Sequence, residues 1–470
     1  MRCGVFLLVT MLPLTAAQWT RFRGPNGTGI ADAQSIPGEL RPDKNVAWKI
    51  ALPSGFSSPV LTNTDVFLTA SEETKLFTIS VDRKTGKVNW KKEAPKPLGE
   101  KPKGPNSPVS PSPVTDGKNV YVFFDNFGLI SYAADGRERW RYETGMLNLP
   151  YGAGTSPVLH ESTVLLQIDQ DSGSYLVALD KDTGKVRWKT ERPHATHGFS
   201  SPVIYQPAKG GAEVIASGAY ELDGYDLATG KKLWWVTGMA WQAKSVPVVA
   251  KDVVYVHSWM ASLSELGHKE VTATWEQTLA DHDKDKDGKI AQDESPDPTL
   301  TKIWFLYDLG KDGFLDAKDW EYLLARNHTK NGLYAIKLGG RGDVTKSHVL
   351  WRVEKGMPNI PSPLVYNDVL FLLREGGILT SFNPKDGSIH KQGRVEGAVD
   401  AYFASPVLAD GKLITASREG KVAVIKPAAQ WEVLSVGEFG EDIWATPAAA
   451  DRQFFVRTQK TLYCFEAPRV

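Results

Sequence analysis

One short pattern, centred on proline and usually reading Ser/Thr-Pro followed by an apolar residue, recurs along this chain. Its prolines lie mostly 41–54 residues apart, with one gap of 116 residues. They are Pro59, Pro113, Pro157, Pro202, Pro247, Pro363, Pro406 and Pro447. A repeat of this length is typical of small supersecondary units that bury their apolar faces against one another. The sequence therefore predicts eight such units.

Each well-formed unit also contains a turn with its own signature. Asp82, Asp180 and Asp226 each begin an Asp-x-x-Thr-Gly segment, and a tryptophan follows eight residues after each aspartate. An aspartate side chain accepts hydrogen bonds from backbone amides ahead of it, and glycine adopts the positive φ that closes a hairpin. A tryptophan that recurs once per unit is expected to pack between neighbouring sheets. Four short strands per unit predict an all-β, eight-bladed β-propeller.

The two ends of the chain predict how this propeller closes. Only three strands can follow Pro447, whereas residues 45–50 near the start form an isolated strand with Trp48. That N-terminal strand is expected to complete blade eight, because closure removes exposed sheet edges. The 116-residue gap places an insertion in blade five. The predicted divisions are a signal peptide at 1–17, an N-terminal arm at 18–45, propeller segments at 46–257 and 332–470, and an insertion at 258–331.

The insertion contains a loop, residues 283–294, with the pattern of a calcium-binding EF-hand loop. Oxygen ligands recur at alternate positions, as a hard cation requires, and Gly288 permits the sharp turn. The expected ligands are Asp283, Asp285, Asp287, Lys289 through its backbone carbonyl, and Glu294. The alternative is an acidic surface turn. Calcium is the only cofactor that the residues themselves predict.

A second loop, residues 308–319, has the same form with two defects. Its candidate ligands are Asp308, Asp312, Phe314 through its carbonyl, Asp316 and Asp319. Gly310 offers no side-chain ligand at the third position, and Asp319 is shorter than the usual glutamate. This loop is expected to bind calcium weakly or to prefer magnesium. Helical segments flank both loops, and Ile290 and Leu315 are expected to pair as a short β link, so the insertion resembles a small α-helical EF-hand pair.

Composition excludes several classes of function. Fifty-five basic residues balance 55 acidic ones, so no net charge attracts nucleic acid. The first 17 residues have a short positive start, a brief apolar run and a small-residue cleavage site, which predicts export. That apolar run is too short for a membrane span. We expect a soluble periplasmic or extracellular monomer, without an intrachain disulfide because Cys464 alone remains after cleavage.

Other polar residues give weaker signals. His194 and His197 lie three residues apart between two blades, where a solvated loop is expected rather than a metal site. No serine, cysteine or carboxylate group shows a catalytic arrangement. The sequence therefore predicts no catalytic residue, and the fold by itself does not supply a function.

The Asp-x-x-Thr-Gly-x-x-x-Trp turns, the eight repeats and the late closing strand resemble those of PQQ-like β-propeller repeat proteins. Residues 19–29 also look like the N-terminal arm of secreted bacterial members. The resemblance implies two possible functions. One is that of BamB-like assembly scaffolds, which are lipoproteins, whereas this signal segment has no lipid-bearing cysteine. The other is that of quinoprotein alcohol dehydrogenases, which resemble one another in an adjacent cysteine pair that this chain lacks.

The function predicted from the sequence is an exported, calcium-binding, non-enzymatic β-propeller scaffold or binding protein. The alternative is a PQQ-dependent dehydrogenase. An unidentified protein or small molecule is expected to bind at the mouth of the central channel. The residues three before each repeat proline should rim that channel, and its aromatic members are Phe56, Phe199, Phe403 and Trp444. The alternative for these rings is that they fill the channel as core.

Overall fold

The computed structural model describes residues 19–97, 106–263, 265, 270–326 and 329–468. The predicted signal peptide lies outside the described residues. The described chain forms eight antiparallel sheets of four strands, one of which gains a fifth strand. The predicted eight-bladed β-propeller is confirmed.

The first four blades follow one another along the chain, each from its inner to its outer strand. Blade 1 contains Val60–Leu61, Asp65–Glu72, Lys75–Asp82 and Val88–Glu93. Blade 2 contains Val114–Thr115, Asn119–Phe124, Gly128–Ala133 and Glu138–Glu143. Blade 3 contains Val158–His160, Thr163–Ile168, Tyr175–Asp180 and Val186–Glu191. Blade 4 contains Val203–Tyr205, Glu213–Ser217, Glu221–Asp226 and Lys232–Thr237, beside which Gly342–Asp343 lies parallel.

The last four blades repeat this order. Blade 5 contains Val248–Ala250, Val253–Ser258, Gly332–Lys337 and Val349–Val353. Blade 6 contains Leu364–Tyr366, Val369–Arg374, Ile378–Phe382 and Ile389–Arg394. Blade 7 contains Val407–Ala409, Lys412–Ala416, Lys421–Lys426 and Glu432–Glu438. Blade 8 contains Ala448–Ala450, Gln453–Arg457, Thr461–Glu466 and the N-terminal strand Val46–Ala51.

The N-terminal strand closes the ring as predicted. Val46–Ala51 pairs antiparallel with Thr461–Glu466, so the two ends of the chain share one sheet. The insertion leaves the ring between Val253–Ser258 and Gly332–Lys337, which are paired strands of blade 5. It begins one residue later than predicted, because Ser258 still pairs with Gly332.

Trp90 and Trp188 of the turn motif pack on the next blade, as predicted. The third, Trp234, instead covers Gly224 of its own blade and donates to Glu213 at 2.8 Å. In five junctions an indole ring covers the turn glycine of the next blade, and its N–H donates to a backbone carbonyl of that turn at 2.7–3.1 Å. The pairs are Trp48 with Gly86, Trp90 with Gly136, Trp140 with Gly184, Trp188 with Gly230, and Trp351 with Gly387. A Cβ atom on any of these glycines would lie 2.5–2.8 Å from the ring. The glycine is therefore required by the neighbouring blade as well as by its own turn.

A belt of hydroxyl groups joins the inner strands around the channel. At seven of the eight junctions, the residue before one repeat proline donates its backbone N–H to the equivalent hydroxyl of the next blade, at 2.8–3.0 Å. The hydroxyls belong to Ser58, Ser112, Ser156, Ser201, Ser362, Ser405 and Thr446. The eighth position is Val246, which has no hydroxyl. Buried amides need partners, so this belt explains why Ser or Thr precedes the repeat proline.

The N-terminal arm crosses one end of the channel. Trp19 accepts a hydrogen bond from Leu61 of blade 1, and Gly29 accepts one from Leu408 of blade 7. Between them, the buried guanidinium groups of Arg21 and Arg23 donate to the carbonyls of two repeat prolines in blades 4 and 6, at 2.8 and 2.7 Å. Burial lowers the pKa of each arginine to about 9. The arm therefore closes the channel at this end.

The insertion is built from short helices around a small core that also includes Ala219 and Trp241 of the propeller. The α-helices are Trp275–His282 and Ala317–Ala325, and Gln292–Glu294 and Pro298–Leu306 are 3-10 helices. Two further short helices of the propeller are Thr345–His348 and Glu375–Gly377, with Pro25–Gly27 in the arm. Ile290 and Leu315 exchange backbone hydrogen bonds at 2.9 and 3.0 Å, so the predicted short β link between the loops is confirmed.

Replacing Gly184 by alanine should destabilise the propeller strongly. The new Cβ would lie 2.6 Å from the Trp140 ring, at a residue whose φ is +70°. Gly145→Ala is the matched control, because Gly145 has a φ of +77° and no atom within 4 Å of the added Cβ. We expect the control to cost about 1 kcal/mol and Gly184→Ala at least about 2 kcal/mol more, measured by chemical denaturation. Equal losses in the two variants would show that the indole contact contributes nothing beyond the positive φ.

Candidate functional site

The open end of the channel is a funnel-shaped cavity of about 400 Å³. All eight residues predicted three positions before the repeat prolines line it. They are Phe56, Ser110, Gly154, Phe199, Lys244, Ile360, Phe403 and Trp444. Each is partly exposed, whereas the residues that follow them toward the proline are buried. The rings therefore line an open space instead of filling it as core.

Three aromatic rings form one wall of this funnel. Phe56 and Trp444 stack with their ring centres 4.6 Å apart and their planes 8° from parallel. Phe403 also packs on Trp444, at 4.4 Å between ring centres and with the ring planes tilted by 44°. These residues belong to blades 1, 8 and 7, which the closing strand makes neighbours. The fourth predicted aromatic, Phe199, lies apart from them and contacts Tyr151, at 6.3 Å between ring centres.

The opposite wall has a single basic side chain. Lys244 of blade 5 donates from Nζ to the side-chain oxygen of Asn359 at 2.5 Å, and its ammonium lies 5.2 Å from the centre of the Trp259 ring. Burial lowers the pKa of Lys244 to about 8. Phe22 of the arm also lines the funnel. Phe22 lies between the two channel arginines in sequence. The segment from Arg21 to Arg23, the channel plug, therefore also forms the floor of the funnel.

A buried acid–base pair lies behind the funnel wall. The Nδ1 atom of His197 is hydrogen-bonded to the Asp171 carboxylate, and its Nε2 atom is 2.9 Å from the Gln242 amide, which lines the funnel. His197 and Asp171 are both fully buried. The prediction of a solvated loop was therefore wrong for His197, because Trp241 packs over its ring at 5.0 Å between ring centres.

His194 belongs to a separate ionic network. Its Nε2 atom lies 3.0 Å from Asp223 and 3.5 Å from Glu221, close enough for the three side chains to hold a metal ion together. However, Lys232 contacts both carboxylates at 2.7 and 2.8 Å, and the buried Arg192 contacts Asp223 at 2.8 Å. These cations already pair with the carboxylates, and the network ties blades 3 and 4 together.

The first acidic loop of the insertion brings its carboxylates together. Oxygen atoms of Asp283, Asp285 and Asp287 lie within 4.8 Å of one another. Asp283 also accepts the backbone N–H of Gly288, at 3.0 Å, so the glycine with φ +79° turns the loop around this side chain. Glu294 closes the loop by accepting two backbone N–H groups, at 2.7 and 2.9 Å, and these bonds lower its pKa.

The second loop repeats this hydrogen-bond pattern, but its side chains are less suited to binding a cation. Asp308 accepts the N–H of Gly313 at 2.9 Å, and Asp319 accepts two backbone N–H groups at 3.1 Å. Asp312 is already paired with the Lys289 ammonium of the first loop at 2.8 Å. Burial raises the pKa of Asp319 to about 7, whereas backbone hydrogen bonds lower the pKa of Glu294, the corresponding residue of the first loop. The first loop is therefore the stronger candidate cation site.

The insertion packs against the funnel rim. Tyr307, the residue before the second loop, stacks on Trp241 of the propeller with ring centres 5.7 Å apart. Phe305 contacts Tyr151 of the funnel edge-on at 5.9 Å, and Asn148 donates to the Leu309 carbonyl of the second loop at 3.0 Å. The insertion thus extends the wall of the funnel beside blades 3 and 4.

Sequence reasoning missed part of this site. It did not find Tyr151, Gln242 or Asn359, because these residues lie outside the repeated positions and reach the funnel through inter-blade loops. It also missed the buried Asp171–His197 pair. The one available signal was a polar residue near two of the repeat positions, Gln242 before Lys244 and Asn359 before Ile360, and polar residues are too common in loops for this signal to be selective.

The fold and the site define a closed eight-bladed β-propeller with a plugged channel, an aromatic funnel and an inserted helical unit. The family model described as outer membrane protein assembly factor BamB matches residues 39–258, 172–297 and 315–469, so the chain belongs to this family. BamB of Yersinia pestis is 22% identical over 413 residues, which are 82% of this chain and 89% of that protein. The predicted resemblance to PQQ-like propellers is therefore confirmed.

Solved structures show the same fold. BamB of Moraxella catarrhalis has a TM-score of 0.55 at 12% identity, over 90% of this chain and 98% of that one. A europium-containing methanol dehydrogenase has a TM-score of 0.55 at 10% identity, over 96% and 98% of the two chains. At these identities the likeness establishes the fold alone. Among the described residues, no helix is long and apolar enough to cross a membrane.

Tyr307→Ala should loosen the insertion and leave the propeller intact. The change removes the ring that stacks on Trp241, whereas the blades keep their own contacts. We expect faster tryptic cleavage within residues 270–326 and a melting temperature lowered by no more than about 3 °C. Phe314→Ala is the control, because Phe314 lies over Lys289 within the insertion instead of on the rim. Equal cleavage of the two variants would contradict the docking role of Tyr307.

Proposed function

We propose that this chain is an exported, calcium-binding, non-enzymatic scaffold that captures a partner protein at the mouth of its funnel in a bacterial cell envelope. The observation that carries the proposal is the convergence of all eight repeat positions on one cavity with an aromatic wall. Aromatic side chains in a partly exposed, preformed pocket are typical anchors for a partner. Membership of the BamB family supports the role in assembly, and the predicted signal peptide supports the periplasmic location.

Calcium is proposed to bind the first loop of the insertion. Three carboxylates of that loop already point toward a common centre, and the Lys289 carbonyl and Glu294 complete an oxygen ligand set. The second loop has one ligand fewer and an aspartate held by a lysine, which support weaker binding there. Calcium would hold the insertion against the funnel rim, because the loops and the docking residues share one core.

Glu294→Gln should remove the tighter of two calcium-binding events. The change deletes one anionic ligand of the first loop, and we expect at least a tenfold loss from a dissociation constant near or below about 10⁻⁴ M. Isothermal titration calorimetry of the full chain measures it. Asp293→Asn is the matched control, since Asp293 is an adjacent exposed carboxylate outside the ligand positions. An unchanged titration of Glu294→Gln would refute the assignment of this loop.

Replacing Trp444 and Phe403 by alanine should weaken partner capture. These rings are partly exposed in the funnel wall, so their loss removes contact surface more than core. We expect at least a tenfold loss of affinity for the partner isolated by cross-linking in the envelope of the producing cell, and a melting temperature lowered by a few degrees at most. Trp235→Ala, on the outer strand of blade 4, is the control. If the folded double variant binds the partner normally, the binding site lies elsewhere.

A further inference from the structure

The charges around the funnel are unbalanced. Lys244 is the only residue of the funnel lining that is charged at neutral pH, because no described lining residue is a carboxylate and burial raises the pKa of Tyr151 further above neutrality. Within the described chain, Lys244 forms no ion pair with a carboxylate closer than 4.0 Å. Its one hydrogen-bond partner among those residues is the neutral amide of Asn359. The ammonium group therefore has donors left for a ligand.

The groups that surround Lys244 increase this imbalance. Arg23 of the channel plug is fully buried, and two of its three guanidinium nitrogens have no partner among the described residues. His257 lies near both Lys244 and Arg23, and burial together with these two cations lowers its pKa to about 4, so it is neutral. Glu375 is the one acidic group that attracts Lys244, but it accepts the backbone N–H of Asn359 at 3.2 Å instead. Lys244 thus has no described carboxylate within ion-pair distance, although Glu375 attracts it from farther away.

The aromatic wall lies across the funnel from this charge. Lys244 belongs to blade 5, and Phe56 belongs to blade 1, which is half a turn away in a ring of eight. A ligand in the funnel would therefore have a cation on one side and the Phe56–Trp444 stack on the other. The volume of about 400 Å³ is that of a pocket for a small organic molecule.

We propose that the funnel binds a small organic monoanion whose carboxylate pairs with Lys244 and whose apolar body packs on Trp444 and Phe56. One lysine balances one negative charge, so a single carboxylate is favoured over a polyanion. The inference rests on the funnel being the binding site proposed above. It specifies the ligand of that site as a free small molecule with one carboxylate.

The ligand affinity should depend on pH in one direction. The carboxylate pairs with the protonated form of Lys244, so binding raises the pKa of this residue above its value of about 8 in the free protein. Affinity is therefore constant below that pH as long as the ligand carboxylate stays ionised, and it decreases as the pH rises through about 8, approaching about tenfold per unit. A neutral ligand of the same shape has no such dependence.

The test titrates 3-phenylpropanoate and, separately, its neutral amide analogue 3-phenylpropanamide into the full chain. Binding is measured by calorimetry or by ligand-observed NMR. We expect the carboxylate to bind at least about tenfold more tightly than the amide at pH 7, as a charge-assisted hydrogen bond should give. Lys244→Gln should remove this difference, and Lys244→Arg should restore most of it. Lys189→Gln, which removes an exposed lysine on the outer strand of blade 3, should change neither affinity.

Two results would overturn the inference. One is equal binding of the two compounds, with both lost in Trp444→Ala; the funnel would then be a site for neutral ligands, and the proposed scaffold function would stand. The other is no binding of either compound at about 10 mM, a concentration at which a fragment of this size with ordinary ligand efficiency is bound. Partner capture that is insensitive to Trp444 and Phe403 tests the scaffold proposal separately.

Discussion

The hydrogen-bonded belt around the channel is the interaction on which the ring depends. At seven of the eight junctions the inner strand of one blade donates a buried amide N–H to a hydroxyl of the next blade, so these blades do not satisfy their own backbone alone. A buried amide without a partner costs about 1–3 kcal/mol, which makes the correct neighbour strongly preferred over any other packing. The belt includes the junction between blades 8 and 1, where Thr446 donates to Ser58. Closure is thus enforced at the axis as well as by the N-terminal strand.

A second repeated contact holds the blades together farther from the axis. The indole on the turn glycine joins apolar burial to one hydrogen bond, and it is present at five junctions, whereas the belt is present at seven. In blade 6 a lysine, Lys391, stands where the tryptophan is expected, and its ammonium lies 4.2 Å from the centre of the Trp431 ring of the next blade. It also donates to the Trp431 carbonyl at 2.5 Å. The junction keeps an aromatic contact although the tryptophan is supplied from the other side.

The plug and the insertion convert this symmetric ring into an asymmetric site. The arm fills one end of the channel with Arg21 and Arg23, so the other end becomes a blind funnel with Phe22 as its floor. The insertion covers the rim on the side of blades 3 and 4, and the aromatic wall occupies the side of blades 7, 8 and 1. Lys244 lies between these two regions. The funnel therefore has a basic side chain and an apolar wall on different sides although the blades repeat one plan.

The sequence by itself determined the architecture of this protein. The period of the Ser/Thr-Pro pattern gave eight blades, the missing fourth strand after Pro447 gave the closure, and the alternate aspartates gave the loop of Asp283 to Glu294. It also determined which position of each unit faces the axis, because that position is fixed relative to the repeat proline. These features are local, since a turn, a cap or a loop forms from residues close in the chain.

Only the tertiary structure decided what surrounds those positions. Nothing in the sequence placed His197 against Asp171, Tyr307 on Trp241, or Arg23 beneath the funnel, because these partners come from segments tens to hundreds of residues apart. The sequence showed Lys244 as one of eight axial residues, but its unbalanced charge depends on which carboxylates the fold keeps away from it. Electrostatic surroundings and docking contacts are properties of three-dimensional proximity, which ring closure sets and the linear pattern does not encode.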